Sequence, residues 1–120
     1  AAILEKASAF LALGAAVGAI CGAVTALADF GLLDQRPHTS NGAGYLEMVS
    51  PSYKGQKFFV DAPSVADRNL ITASSTGGLL WAKQIIERLD VFQHNTLEAW
   101  YAYFSTGEAQ HFFTLMQTLA

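Results

Sequence analysis

The sequence predicts an α/β domain built on a mostly parallel sheet, and three observations carry that prediction. The first is Val17-Gly18-Ala19-Ile20, a short uncharged run set between two stretches of helical character. A continuous apolar strand between helices marks a parallel sheet covered on both faces. The second is the junction Ile20-Cys21-Gly22-Ala23, after which Val24-Thr25-Ala26-Leu27-Ala28 has helical composition, so strand passes to helix at Cys21. The third is size and content. The 120 residues suffice for one core, and with 52% hydrophobic and 14% charged residues the chain is poor in charge against the usual quarter or so. Much of its surface must therefore be buried, against itself or against another chain.

Taken in order, Ala1 to Leu13 reads as a helix with Ile3, Leu4, Ala7, Phe10 and Leu11 on one face, closed at Gly14. The charge-free run from Ala7 to Ala28 has the length of a bilayer span, with Gly14, Gly18 and Gly22 four apart as on a helix-dimer face. It is filled mainly by Ala and Gly, which drive insertion weakly. Glu5, with Lys6 the only early cation, speaks against a signal peptide. Gly22 to Phe30 is the next helix, ending at Gly31. Gly44 to Val49 is a short helix before Pro51, Tyr53 to Gln56 a turn, and Lys57 to Asp61 a strand. Ser64 to Ala66 and Leu70 to Ala73 form a hairpin around Asp67-Arg68-Asn69. Asp67 reads as a turn residue rather than a catalytic carboxylate. Ser74-Ser75-Thr76-Gly77-Gly78 follows a strand and opens a helix, but its glycine spacing fits neither nucleotide-binding pattern. It reads as the start of an apolar helix carrying Leu79, Leu80, Ile85, Ile86 and Leu89. Asp90 to His94 is a linker, Thr96 the cap of a helix with Leu97, Trp100, Tyr101 and Phe104, and Glu108 to Leu119 a last helix after Gly107.

The chemistry is expected at Cys21. A strand, a sharp turn and a helix form a nucleophile elbow, which requires small neighbours; Ala19, Gly22 and Ala23 meet that need. The helix N-terminus aimed at the sulfur favours the reactive thiolate. The competing reading is a cysteine serving as a small buried hydrophobe. His38 lies 17 residues after Cys21, in Arg36-Pro37-His38-Thr39-Ser40-Asn41. One helix and a return bring it to the ligand-binding end of the sheet, where it is expected to take the thiol proton; otherwise it is a surface histidine in a polar loop. The Gly22 backbone N–H is expected to donate to an oxyanion.

Composition sets bounds. The net charge of −3 without a basic cluster excludes nucleic acid as an expected partner. A single cysteine allows no internal disulfide and fits a reducing, cytoplasmic setting. His94 and His111 lack neighbours at metal-ligand spacing, so no metal or cofactor is expected.

The runs Ala19-Ile20-Cys21-Gly22-Ala23, Gly31-Leu32-Leu33, Arg36 to Asn41 and Asp67 to Ser74, with the helix from Gly77, together resemble the ThiJ/PfpI family of the class I glutamine-amidotransferase-like superfamily. The likeness covers residues 1–92, and the helical tail, 93–120, resembles an extension of a bacterial branch labelled intracellular protease or amidase. The resemblance implies a flavodoxin-like three-layer sandwich, incomplete on its N-terminal side. It implies Cys21 as nucleophile or redox-sensing thiol and His38 as its partner. In the protease branch a histidine directly follows the cysteine, where this chain has Gly22; that departure speaks against peptidase activity. The family's first third, with central strands, a glutamate at the cysteine and a glycine-rich oxyanion loop, has no counterpart here, so the chain is expected to be the C-terminal part of a domain.

Two functions follow as expectations. One is a hydrolase or glyoxalase-type enzyme in which Cys21 attacks a small carbonyl or amide substrate. The other is a stress-response or redox-sensing protein using the same thiol. A fragment without activity of its own is the third possibility weighed. The expected partners are a small-molecule substrate, with no membrane, and either a second copy of the chain or the missing N-terminal segment.

Overall fold

A computed structural model describes residues 2–120. Its elements are α1 (Ala2–Ala12), β1 (Val17–Ile20), α2 (Gly22–Asp29), α3 (Tyr45–Val49), a 3₁₀ turn (Gln56–Phe58), β2 (Ser64–Asp67), β3 (Leu70–Ala73), α4 (Gly78–Leu89), α5 (His94–Thr106) and α6 (Ala109–Leu119). The fold is α/β, around one three-stranded sheet of order β1-β3-β2.

The central strand β3 is buried at every position. It pairs in parallel with β1, Val17 opposite Leu70 and Ile20 opposite Ala73. It pairs antiparallel with β2 through the two-residue turn Arg68-Asn69. Side chains alternate across a strand, and β1 shows the consequence. A Cβ on Gly18 would meet Trp81 and Ile85 of α4 at 3.1 and 2.9 Å, so glycine is what lets α4 lie this close. The next residue, Ala19, belongs to the buried cluster of Val24, Leu27, Ala28, Leu33, Leu46, Tyr53 and Leu70. The Trp81 indole N–H also donates to the Ile71 carbonyl at 3.2 Å, which keeps its one polar group satisfied beside the sheet.

The hairpin turn is tied to the rest of the chain. Arg36 donates to the Asp67 carboxylate at 2.8 Å, to the Asp67 carbonyl at 2.7 Å and to Asn69 Oδ1 at 3.1 Å. Asn69 Nδ2 donates to the carbonyls of Leu11 and Ala15 at 3.0 and 2.8 Å. Asp67 is thus a structural ion-pair partner. Burial alone would raise its pKa, but the hydrogen bonds and charges of Arg36 and Arg68 outweigh it and hold the carboxyl below its ordinary value.

Two expected elements differ. Residues 57–61 form no strand: Gly55 lies so close to the Leu33 carbonyl and the His38 ring that the chain turns tightly there, and only Phe59 makes an isolated bridge, to His38. Helix α5 begins at His94 rather than after a Thr96 cap, because Thr96, Leu97 and Ala99 form its buried face. Lys83 joins α4 to α5, contacting Glu98 at 3.0 Å and the Tyr101 ring at 4.8 Å. The charge-free run is divided between α1, β1 and α2, and no helix among the described residues is long and apolar enough to cross a membrane.

Candidate functional site

At the carboxyl end of β1, Cys21 adopts φ 58° and ψ −124°. An L residue enters this region only at a cost. Two contacts enforce it. The Cys21 N–H donates to the Ala73 carbonyl at 3.1 Å, continuing the sheet by one residue, while the Cys21 carbonyl already accepts from the Val24 N–H at 3.1 Å in the first turn of α2. One residue thus closes a strand and opens a helix. The first amides of α2, at Gly22 and Ala23, have no acceptor within the helix, and the space a Cβ would enter at Gly22 is open.

The side chain that meets the thiol is Asn41, whose Nδ2 lies 3.6 Å from Sγ. Its amide orientation follows from its other contact. The Ser75 N–H, which can only donate, lies 2.8 Å from Oδ1, so Nδ2 is the atom turned to sulfur. Asn41 also lines a cleft of about 340 Å³ with Ser40, Gly42, Asp61, Ala62, Pro63, Ser74, Ser75 and Thr76, within the usual size range of small-molecule sites. Gly77 sets one boundary: a Cβ there would stand 2.0 Å from the Pro63 carbonyl oxygen, so only glycine lets the two loops close together.

His38, the expected proton partner of Cys21, makes both of its ring hydrogen bonds to other groups. His38 is fully buried. Its Nδ1 lies 2.7 Å from the Arg36 carbonyl, which can only accept, so Nδ1 carries the hydrogen. Its Nε2 lies 2.7 Å from the Tyr53 hydroxyl and accepts from it. The one lone pair able to take a proton is occupied. Burial lowers the His38 pKa, against the raising influence of the Arg36 carbonyl and of Asp34 and Glu47. Burial, with the Glu47 and Asp34 charges, pushes Tyr53 up to about 12. The pair is a neutral core hydrogen bond.

Residues 1–88 match the model of the DJ-1/PfpI family. The chain belongs to that family. This DJ-1/PfpI chain is 44% identical over 117 residues to YoaZ of Bacillus subtilis, named an uncharacterized protease, covering 98% of this chain and 56% of YoaZ. It is 40% identical over 74 residues to YdeA of the same organism, also named an uncharacterized protease, covering 62% and 37%. A thiJ/pfpI family protein from Bacillus anthracis superposes with a TM-score of 0.93 at 45% identity, over 97% of this chain and 55% of that one. The DJ-1 superfamily protein Atu0886 from Agrobacterium tumefaciens does so with 0.77 at 27%, over 89% and 56%. The chain spans about half the length of these relatives or less.

Chemically, the site joins a strained, partly exposed thiol to a side-chain amide donor, unpaired helix amides and a polar cleft. An amide donates hydrogen bonds but neither takes nor supplies a proton. Among the described residues no group of three His, Cys, Asp or Glu side chains is placed to hold a metal ion.

Proposed function

We propose that the protein is a cysteine-dependent enzyme in which Cys21 adds to the carbonyl carbon of a small substrate seated in the neighbouring cleft, in a hydrolase or glyoxalase-type reaction. The observation that carries this reading is the Cys21 backbone at φ 58°, an otherwise costly conformation that holds the thiol at the strand-to-helix junction. Membership of the DJ-1/PfpI family and the protease names of its relatives support thiol chemistry on carbonyl groups. The partner of Sγ being an amide favours addition to an aldehyde or ketone over amide cleavage, where the leaving nitrogen needs a proton. The test is turnover of a 2-oxoaldehyde against a chromogenic amide by the wild type and Cys21→Ser. Aldehyde turnover that vanishes in Cys21→Ser is the expected result. Turnover that survives the substitution overturns the reading.

The same amide contact favours a second reading, in which the thiol is oxidised reversibly to the sulfenic state as a stress sensor, since that chemistry needs no acid–base partner. Cys21 oxidation by dilute peroxide without turnover of either substrate would select it.

A further inference from the structure

We infer that the α5–α6 hairpin is the docking face for a second copy of this chain, whose own hairpin packs against it about a two-fold axis to give a four-helix bundle.

The face is apolar, contiguous and uncharged. Helix α6 packs against α5 and buries Leu115. On the flank beside Leu115, Phe112, Met116 and Leu119 follow at helical spacing, with Phe113 at their edge. These four side chains stay open to solvent: Phe112 is 40% exposed, Met116 50%, Leu119 55% and Phe113 62%. Ring contacts carry the patch across to α5. Centroids lie 5.9 Å apart for Phe113 and Phe112, 5.4 Å for Phe112 and Tyr103, and 5.0 Å for Tyr103 and Phe104, which is itself 56% exposed. Gln110, Thr114 and Gln117 share the opposite side of α6 and suit it to water. The apolar stripe is therefore wider than contact with α5 alone requires.

Three observations name the occupant. The first is position. The match to the DJ-1/PfpI family ends at residue 88, before the hairpin begins at His94, so the shared domain is built without this face. The second is charge. From residue 99 to 120, Glu108 is the only Asp, Glu, Lys or Arg. Two identical faces meet there without like-charge repulsion, whereas a charged partner finds no counter-charge to fix its register. The third is area. With an aromatic side chain presenting about 200 Å², the five exposed side chains offer on the order of 500 Å² per copy. A two-fold contact uses the same patch on both copies and so buries about 1,000 Å² before any polar rim, close to the lower bound of a stable interface. Two helical hairpins stacked face to face make a four-helix bundle.

The experiment is sedimentation equilibrium on the 120-residue chain, comparing the wild type with Met116→Glu, Phe113→Ala and Leu13→Glu. Alanine keeps the helix and only removes area. Leu13 is 81% exposed but lies outside the hairpin, so it is the control. The expected wild-type mass is twice the 12.8 kDa of one chain, with a thermal midpoint that rises with protein concentration. Met116→Glu is expected to weaken association at least about 10-fold. Phe113→Ala should weaken it in the same direction, both with an unchanged far-ultraviolet circular dichroism spectrum, and Leu13→Glu should associate like the wild type. A monomeric wild type would overturn the inference. So would a dimer as tight in Met116→Glu and Phe113→Ala as in the wild type, or one that dissociates in Leu13→Glu alone.

Discussion

Asn41 stands level with Cys21 because the segment that carries it runs alongside β3 in step with it. Arg36 contacts Asn69, the Thr39 N–H donates to the Thr72 hydroxyl at 3.0 Å, and Asn41 accepts from Ser75. With Ile20 opposite Ala73, the next residue, Cys21, lies at the height of Ser74, where this segment has reached Asn41. His38 lies three residues earlier in this segment, where it makes an isolated bridge to Phe59. There it meets Tyr53 and Phe59, with ring centroids at 5.6 and 6.2 Å.

The positive φ of Cys21 makes a prediction in which stability and reactivity move oppositely. Glycine adopts φ 58° without the penalty of a Cβ, whereas cysteine there carries a cost of order 1–3 kcal/mol. Cys21→Gly is expected to raise stability by about 1 kcal/mol and to abolish turnover. Cys21→Val, with a branched Cβ in the same conformation, is expected to lower stability. Urea midpoints of the three proteins check this; a Cys21→Gly midpoint below wild type would show that the backbone conformation stores no strain.

Two glycines beside the site separate packing from chemistry. Gly77→Ala places a Cβ 2.0 Å from the Pro63 carbonyl oxygen, and backbone there must move. The expected cost is about 2–4 kcal/mol, as for other overpacked positions that cannot relax, with loss of the cleft. Gly22→Ala enters open space at a helix N-terminus, so stability is expected to hold within about 0.5 kcal/mol. Thermal unfolding of the two variants should differ by many degrees; equal shifts would count against the closeness of the 62–64 and 74–77 loops.

How far the sequence disclosed this arrangement depends on whether the deciding contact is local. The passage from strand to helix at Cys21 is legible, since an apolar run meets a helical composition there. The hairpin was legible from its turn residues, and parallel β1 from its apolar run. The identity of the thiol's neighbour was not. The polar segment Arg36 to Asn41 is visible in the sequence, but which of its residues arrives beside Cys21 depends on contacts such as Arg36–Asn69, and a 33-residue separation leaves no trace in local pattern. His38 drew attention by residue type. The available signal is positional: Asn41 is the last polar residue before Gly42. The false strand at 57–61 failed for a related reason, because Gly55 is constrained by the distant Leu33 carbonyl.

The buried His38–Tyr53 pair gives a pH dependence of known sign. The folded-state pKa of His38 is depressed by burial, so protonation favours the unfolded chain. Its contribution is fully present above the unfolded value of about 6.5 and is lost as pH falls from there toward the depressed folded value. Ordinary carboxylates titrate lower, so stability measured between pH 6.5 and 5 should decline in the wild type and decline less in His38→Gln. On the alkaline side Tyr53, raised to about 12, withholds stability only as pH climbs through about 10, a loss that Tyr53→Phe should remove. Parallel acid profiles for wild type and His38→Gln would contradict the neutral buried imidazole.

Asn69 is the position where the anchor of this register is most exposed to test. Its Nδ2 serves the Leu11 and Ala15 carbonyls and its Oδ1 serves Arg36, so one nearly buried side chain ties the end of α1, the hairpin turn and the segment leading to Asn41. Asn69→Ala leaves two carbonyls without their donor, and a loss of about 2–3 kcal/mol is expected. Asn69→Asp keeps an acceptor for Arg36 but turns an oxygen toward both carbonyls, so the loss should be larger despite the closer shape. Because Arg36 anchors the segment that leads to Asn41 beside the thiol, both variants should also slow turnover in the folded protein. Urea midpoints give the first comparison and kcat at low temperature, where the variants remain folded, gives the second. An Asn69→Asp variant as stable as Asn69→Ala would show that the carbonyl contacts contribute little and that Arg36 alone holds the register.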